Sequence, residues 1–360
     1  MIASDTQVAL DRALAAWRYG GGSFLFGAPT SPLFVDLIGP TVTSITVAAN
    51  GTDIDVLFSE AVTGGTGCTL TLGATNPLTY ASGSGTNTLR FSPAWPVGQS
   101  TVPTFNYSGG DIQDLAGNDL ATISGQAVTN NSTTWTPQTL GAFLTGWFYS
   151  GYGYESTAGG GGGTPAAGAA CGRWLDLSGN SRHLDAPSAG ARPTRAADGR
   201  GVTGNATDQT MASPSSLIAA YGSAGFCYFW KWKRASADEN TNAAVGYAAA
   251  NDSRWGGFGG SGAGGFFGGS SVTAVTPADT NENVVGLSCN VSAALTVSTY
   301  NGSYTATGNV HFTASAVGIQ LLSRNNTSLF SGDTVIEFLA VNSESDASMR
   351  SNIRTWLAGV

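Results

Sequence analysis

Charge is what this sequence has least of. Asp, Glu, Lys and Arg together make up 11% of its 360 residues, against about 25% in an ordinary soluble domain. Lysine occurs only as Lys231 and Lys233, and the arginines are scattered. A phosphate backbone needs a clustered basic surface, so the pattern argues against nucleic-acid binding, as does the formal charge of −8. Histidine occurs only as His183 and His311, which leaves little for imidazole-based acid–base or metal chemistry. No apolar run reaches the roughly 18 residues that a membrane-spanning helix needs. The start, Met1-Ile2-Ala3-Ser4-Asp5, has no basic segment, and Asp5, Asp11 and Arg12 interrupt any apolar one, so no secretion signal is expected. Cysteine is sparse too: Cys68, Cys171, Cys227 and Cys289 lie more than 55 residues apart, without the paired spacing of a zinc site. Free thiols are the simpler expectation for a chain assembled in a reducing cytoplasm, and one long-range disulfide is the alternative.

Catalytic patterns are equally thin. The six glutamates, Glu60, Glu155, Glu239, Glu282, Glu337 and Glu344, never fall within five residues of each other. The closely spaced carboxylates of a jelly-roll glycosidase are therefore missing, although a pair could still meet in space. There is no G-x-S-x-G elbow, and no lysine follows the glycines of a Walker loop. No catalytic residue is assigned, and the chain is expected not to be an enzyme.

What the chain does have is glycine, 51 residues of it, and short alternating runs. Residues 4–17 read as a helix: Ser4 and Gln7 fit a capping box, and Leu10, Ala13, Leu14 and Trp17 form an apolar stripe. Three glycines stop it, and Pro29, Pro32 and Pro40 keep the segment up to residue 40 extended. Residues 1–40 are thus expected to form an attachment arm, with Leu10, Leu14 and Trp17 needing a partner surface. From Thr41 the period changes to two. Ile45–Val47 and Ile54–Phe58 flank an Asn50-Gly51 hairpin signal, and further strands are expected near 69–72, 88–91, 104–107 and 127–130. A second β-region begins at Thr136-Pro137. In it Phe226, Tyr228, Trp230 and Trp232 share one face while Lys231 and Lys233 point away. Later strands are expected at 283–289, 295–300, 316–322 and 334–341. A closing helix would be capped by Ser345 or Asp346 and bury Met349, Ile353, Trp356 and Leu357.

Three groups of residues stand out as candidate sites. Asp111, Asp114 and Asp119 gather in one loop with Asn118, where oxygen ligands can hold calcium and, alternatively, the side chains cap turns. Asp176 beside Ser178-Gly179-Asn180 reads as turn chemistry, and His183 as a surface or capping residue. Trp232, nearest the end of its strand, and Trp255, in a glycine-rich hairpin, are the candidate glycan platforms, with core packing as the competing role for the aromatic strand.

Two stretches carry resemblances. Phe58-Ser59-Glu60-Ala61-Val62, Asp114-Leu115-Ala116-Gly117-Asn118 and Val128-Thr129-Asn130 resemble the bacterial immunoglobulin-like domains found in surface and phage proteins, over about residues 41–132. Trp174, Asp176, Ser178-Gly179-Asn180 and Arg192-Pro193, with the ending from Ile336 to Leu357, resemble laminin-G-like or concanavalin A-like lectin modules of phage structural proteins. Together they imply an all-β chain: an arm, an immunoglobulin-like β-sandwich at 41–132 and a concanavalin A-like jelly-roll β-sandwich at 133–360, with short helices at the N- and C-terminal ends. The function implied is an accessory protein of a tailed-phage virion, of decoration or fibre type. It would be exposed on the particle, bound to other virion proteins through the arm, present in many copies or as a homo-oligomer, and able to adhere to host-surface glycans. A bacterial adhesin exported by a non-Sec route and a glycan-cleaving jelly roll are the alternatives. No cofactor is expected beyond the calcium candidates.

Overall fold

In the strand Ile54–Thr63, alternation sends Ile54, Val56, Phe58 and Val62 inward. It pairs antiparallel with Val42–Val47 across the expected hairpin. Gly51 sits there at φ +71°, a left-handed conformation in which a side chain would also strike the Val97 carbonyl. The structure is a computed structural model describing residues 36–73, 75–214, 217, 226–235, 243–247, 254–257, 264–268, 271–276, 281–289, 294–299, 305–309, 319–323, 332–342 and 347–360. For residues 226, 243–276, 287–289 and 294–309 within these, the description is of backbone pairing alone. The predicted helix at 4–17 and the caps Ser345 and Asp346 lie outside the described residues.

The first sheet runs Ile123–Ala127, Thr104–Tyr107, Leu70–Leu72, Asn76–Ser82, Thr86–Pro93, Ile54–Thr63, Val42–Val47, Thr129–Asn130. Both ends of this order come from one stretch of sequence, because the single strand expected near 127–130 breaks at Val128. Ile123–Ala127 pairs with Thr104–Tyr107, and Thr129–Asn130 pairs in parallel with Val42–Val47. The inward residues of the whole sheet, among them Val47, Val56, Leu72, Phe91, Phe105 and Tyr107, meet in one core.

The second sandwich holds two sheets. One runs Thr194–Arg195, Val202–Thr203, Thr334–Val341, Phe226–Lys233, Glu282–Cys289, Ala294–Thr299, Thr305–Asn309, with Leu144–Phe148 also on Thr334–Val341. The other runs Tyr154–Glu155, Arg173–Trp174, Leu184–Asp185, Met211–Ala212, Ile319–Leu321, Ala243–Tyr247, Arg254–Gly257, Gly264–Gly268, Ser271–Thr276. Between them Phe148, Trp174, Tyr228, Trp230, Phe338 and Leu321 form the main core. The opposite face of the Phe226–Lys233 strand is not left to solvent. Cys227 and Phe229, with Trp147, Leu339 and Val341, are covered by Ile353 and Leu357 of the closing helix Ala347–Gly359. Among the described residues no helix is long and apolar enough to cross a membrane. The thiols of Cys68 and Cys171 are not in disulfides, and burial pushes each up to about 11.

Candidate functional site

The structure moves the expected sites. Trp232 is 0% exposed and belongs to the main core. Its strand is bonded on both sides, to Asn283 and to Val335, and the face shared by Tyr228, Trp230 and Trp232 is buried against Met211, Ile319 and Leu321 of the other sheet. Trp232 is therefore no glycan platform; nearness to a strand end gave no exposure because the core between the sheets reaches that end. Trp255 lies in the other sheet, its backbone paired with Phe266 in the expected hairpin, and its side chain lies outside the described residues. The attachment residues Leu10, Leu14 and Trp17 lie outside them as well.

The three aspartates work separately. Asp111 accepts from Gly65 and Gly67 N–H and from the Thr66 hydroxyl at 2.8, 2.9 and 3.1 Å. Burial opposes its ionised form, but these donors outweigh it and hold the carboxyl below the ordinary range. Asp114 accepts from Ala116 N–H and Asn118 N–H, each at 2.8 Å, and Asp119 from the Gln113 amide at 2.7 Å. Oxygens filled by N–H donors organise turns, and a carboxylate oxygen of Asp114 also lies within 4.8 Å of oxygens of Asp36 and Glu60, a grouping that could hold a metal ion.

The residues that do converge lie where the two sandwiches join. Trp95, on the loop after Thr86–Pro93, leaves the first sandwich and enters the second one's outer core beside Leu140, Leu144 and Trp147. It is 3% exposed and packs on Tyr152 with ring centroids 5.0 Å apart. Asn76 clamps the loop: its amide donates to Trp95 O and its oxygen accepts Ala94 N–H, both at 3.0 Å. A cleft of about 550 Å³ opens beside this joint, lined by Thr75, Trp95, Gln138, Tyr152, Leu175, Asp176, Leu177, Ser178, Gly179, Ser181 and His183. A second groove, of about 450 Å³, lies under Trp135, Tyr149 and Trp356.

Asp176 and His183 act as their sequence context predicts. Asp176 is buried and accepts Trp147 N–H, Ser178 N–H, the Ser178 hydroxyl and Arg182 N–H at 2.8–3.0 Å. His183 Nδ1 accepts Asp176 N–H at 3.1 Å, which leaves Nε2 to carry the proton of the neutral ring. Glu337 is a fully buried carboxylate. Its Oε1 accepts the indole N–H of Trp147 at 3.0 Å and of Trp356 at 2.7 Å, and its Oε2 faces Ser150 N–H at 3.4 Å. Burial pushes its pKa up to about 7, against the opposing pull of those indoles. Trp95, Tyr152 and Glu337 are not among the site residues that the sequence points to. The available signals were an aromatic beside proline in Ala94-Trp95-Pro96 and a lone carboxylate in the apolar run Thr334–Val341.

No protein-family model and no curated protein matches the sequence. Among solved structures, a Trypanosoma rangeli sialidase in complex with 2,3-difluorosialic acid aligns at 11% identity and TM-score 0.42, over 85% of this chain and 66% of that one. The binding domain of Paraclostridial mosquitocidal protein 1 aligns at 11% identity and TM-score 0.40, over 52% of this chain and 49% of that one. The binding domain of botulinum neurotoxin DC, in complex with rat synaptotagmin II, aligns at 10% identity and TM-score 0.33, over 52% and 48%. The likeness is one of β architecture and establishes no family. The chain covers 66% of the first of these proteins and about half of the other two. In the joint cleft, the geometry offers aromatic surface and neutral polar groups, with the one lining carboxylate already filled.

Proposed function

We propose that this chain is a structural accessory protein of a tailed-phage virion, of decoration or fibre type, whose paired sandwiches adhere to host-surface glycans without cleaving them. Residues 1–40, with Leu10, Leu14 and Trp17, would attach it to other virion proteins, and the sandwiches would be displayed in many copies. The two sequence resemblances support the phage setting. The observation that carries the adhesive reading is the joint cleft, where the half-buried Tyr152 stands over the buried Trp95 among uncharged polar side chains and Asp176 is saturated by four donors. A carboxylate so filled is suited to holding a turn rather than to moving a proton onto a substrate. A single shallow sugar site is weak, because few atoms are buried and polar groups must be desolvated. Many copies on one particle supply avidity.

The full chain, coupled at high density to a surface, should retain host cell-envelope polysaccharide without releasing shortened sugar. Sustained release of reducing ends would replace the adhesive reading by a glycosidase. Absence of the chain from purified particles would remove the phage setting.

A further inference from the structure

We infer that the cleft walled by Tyr152, Gln138, Ser178 and His183 binds a short stretch of pyranose units from an uncharged glycan. This rests on the adhesive reading above and assigns it a site. The cleft, at about 550 Å³, falls in the range of small-molecule sites, roughly 300–1,000 Å³. A pyranose presents an apolar C–H face and a rim of hydroxyls, each able to donate and to accept. Its partner must therefore combine ring surface with neutral polar groups, and this lining does so.

Three observations narrow the ligand. First, Tyr152 is half-buried and supplies the ring, with Gln138, Ser178 and Thr75 as neutral polar groups around it. Second, no lysine or arginine lines the cleft, and Asp176 is spent on its turn, so neither a phosphorylated nor an acidic sugar finds a counter-charge. The contrast is the cleft of about 480 Å³ at Arg195, Asp198, Lys233 and Arg234, where charge prevails. Third, the groove under Trp135, Tyr149 and Trp356 is mostly ring and backbone, with the Trp356 N–H already given to Glu337, which is poorer provision for a rim of hydroxyls.

The walls come from both sandwiches: Thr75 and Trp95 from the first, Tyr152, Ser178 and His183 from the second. Thr75 is exposed and outside either core. Thr75→Trp should therefore obstruct the cleft and leave the fold intact. Gln138→Ala removes a half-buried polar group from the wall, and Gln138 belongs to neither core. The test is ligand-observed NMR with the full chain and the methyl pyranosides of glucose, galactose, mannose and N-acetylglucosamine. The wild-type chain should contact at least one of them. Thr75→Trp should abolish that contact, and Gln138→Ala should weaken it roughly three- to tenfold, as for one lost hydrogen bond, with melting temperatures retained. Contact undiminished in Thr75→Trp would overturn the cleft as the site while leaving glycan adhesion standing. No contact with any pyranoside in the wild type would overturn the inference as well, and polysaccharide retention on the coated surface then decides the adhesive reading separately.

Discussion

Glu337 shows how much one side chain can hide in an apolar strand. In register it faces Lys231, yet that lysine turns to Glu282 at 2.8 Å and to Val360 O, so the glutamate is left to two indoles and to Ser150, backbone and side chain. Tyr149 is nearby, its own pKa raised by burial and by Glu337. The folded pKa of Glu337, about 7, lies above the ordinary 4.5. The fold therefore favours the protonated form. This group's contribution is fully present below pH 4.5, declines as pH rises to about 7, and is level beyond. At about 1.4 kcal/mol per pH unit, the loss across that window is about 3 kcal/mol. Glu337→Gln keeps a carbonyl oxygen for the indoles and cannot ionise. Denaturant unfolding of both proteins between pH 4.5 and 7.5 should show the wild type losing stability against the variant by this amount. Parallel curves would mean that Glu337 does not titrate in that window.

At the scale of elements, the closing helix is the lid of the outer core, with Ile353 and Leu357 fully buried and Trp356 bonded to Glu337. Ile353→Asp places a carboxylate without a partner in that layer. It should lower the midpoint of thermal unfolding by many degrees and shift tryptophan emission to the red as Trp356 and Trp147 meet water. An unchanged midpoint and spectrum would show that the helix contributes little to that core. This helix was legible from its stripe of Met349, Ile353, Trp356 and Leu357, and Phe226–Lys233 from its alternation, because those patterns repeat within one element. The paired segments between 154 and 212 were not legible. Each is two residues long, too short for any period to register, and partners far along the chain hold them in place. Trp232 failed as a site for a related reason: its position along the strand was readable, whereas the opposite sheet that buries it, built from distant segments, was not. Asp176 was readable because its partners lie within six residues, apart from Trp147.

For the molecule as a whole, the question is whether two sandwiches make two folding units. The first closes its own core from residues between Ile45 and Leu120. Residues 41–132 expressed alone should therefore melt in one cooperative transition. Residues 133–360 alone lack Trp95 and expose Leu140, Leu144 and Tyr152, so they should fold but melt below the corresponding transition of the full chain. Trp95→Ala in the full chain should reproduce most of that decrease, since a buried tryptophan truncated to alanine costs about 3–5 kcal/mol. Calorimetry of the three proteins checks this, and equal midpoints for the second sandwich with and without Trp95 would show the joint to be energetically idle. The same tryptophan bears on how such a gene can change by recombination. A crossover that swapped the first sandwich for a foreign one would bring in a loop of its own and leave an indole-shaped void against Tyr152 and Trp147. Exchange at the boundary near Thr133 should therefore be silent only between genes that carry the same Trp95-Pro96 plug, although each half has its own core.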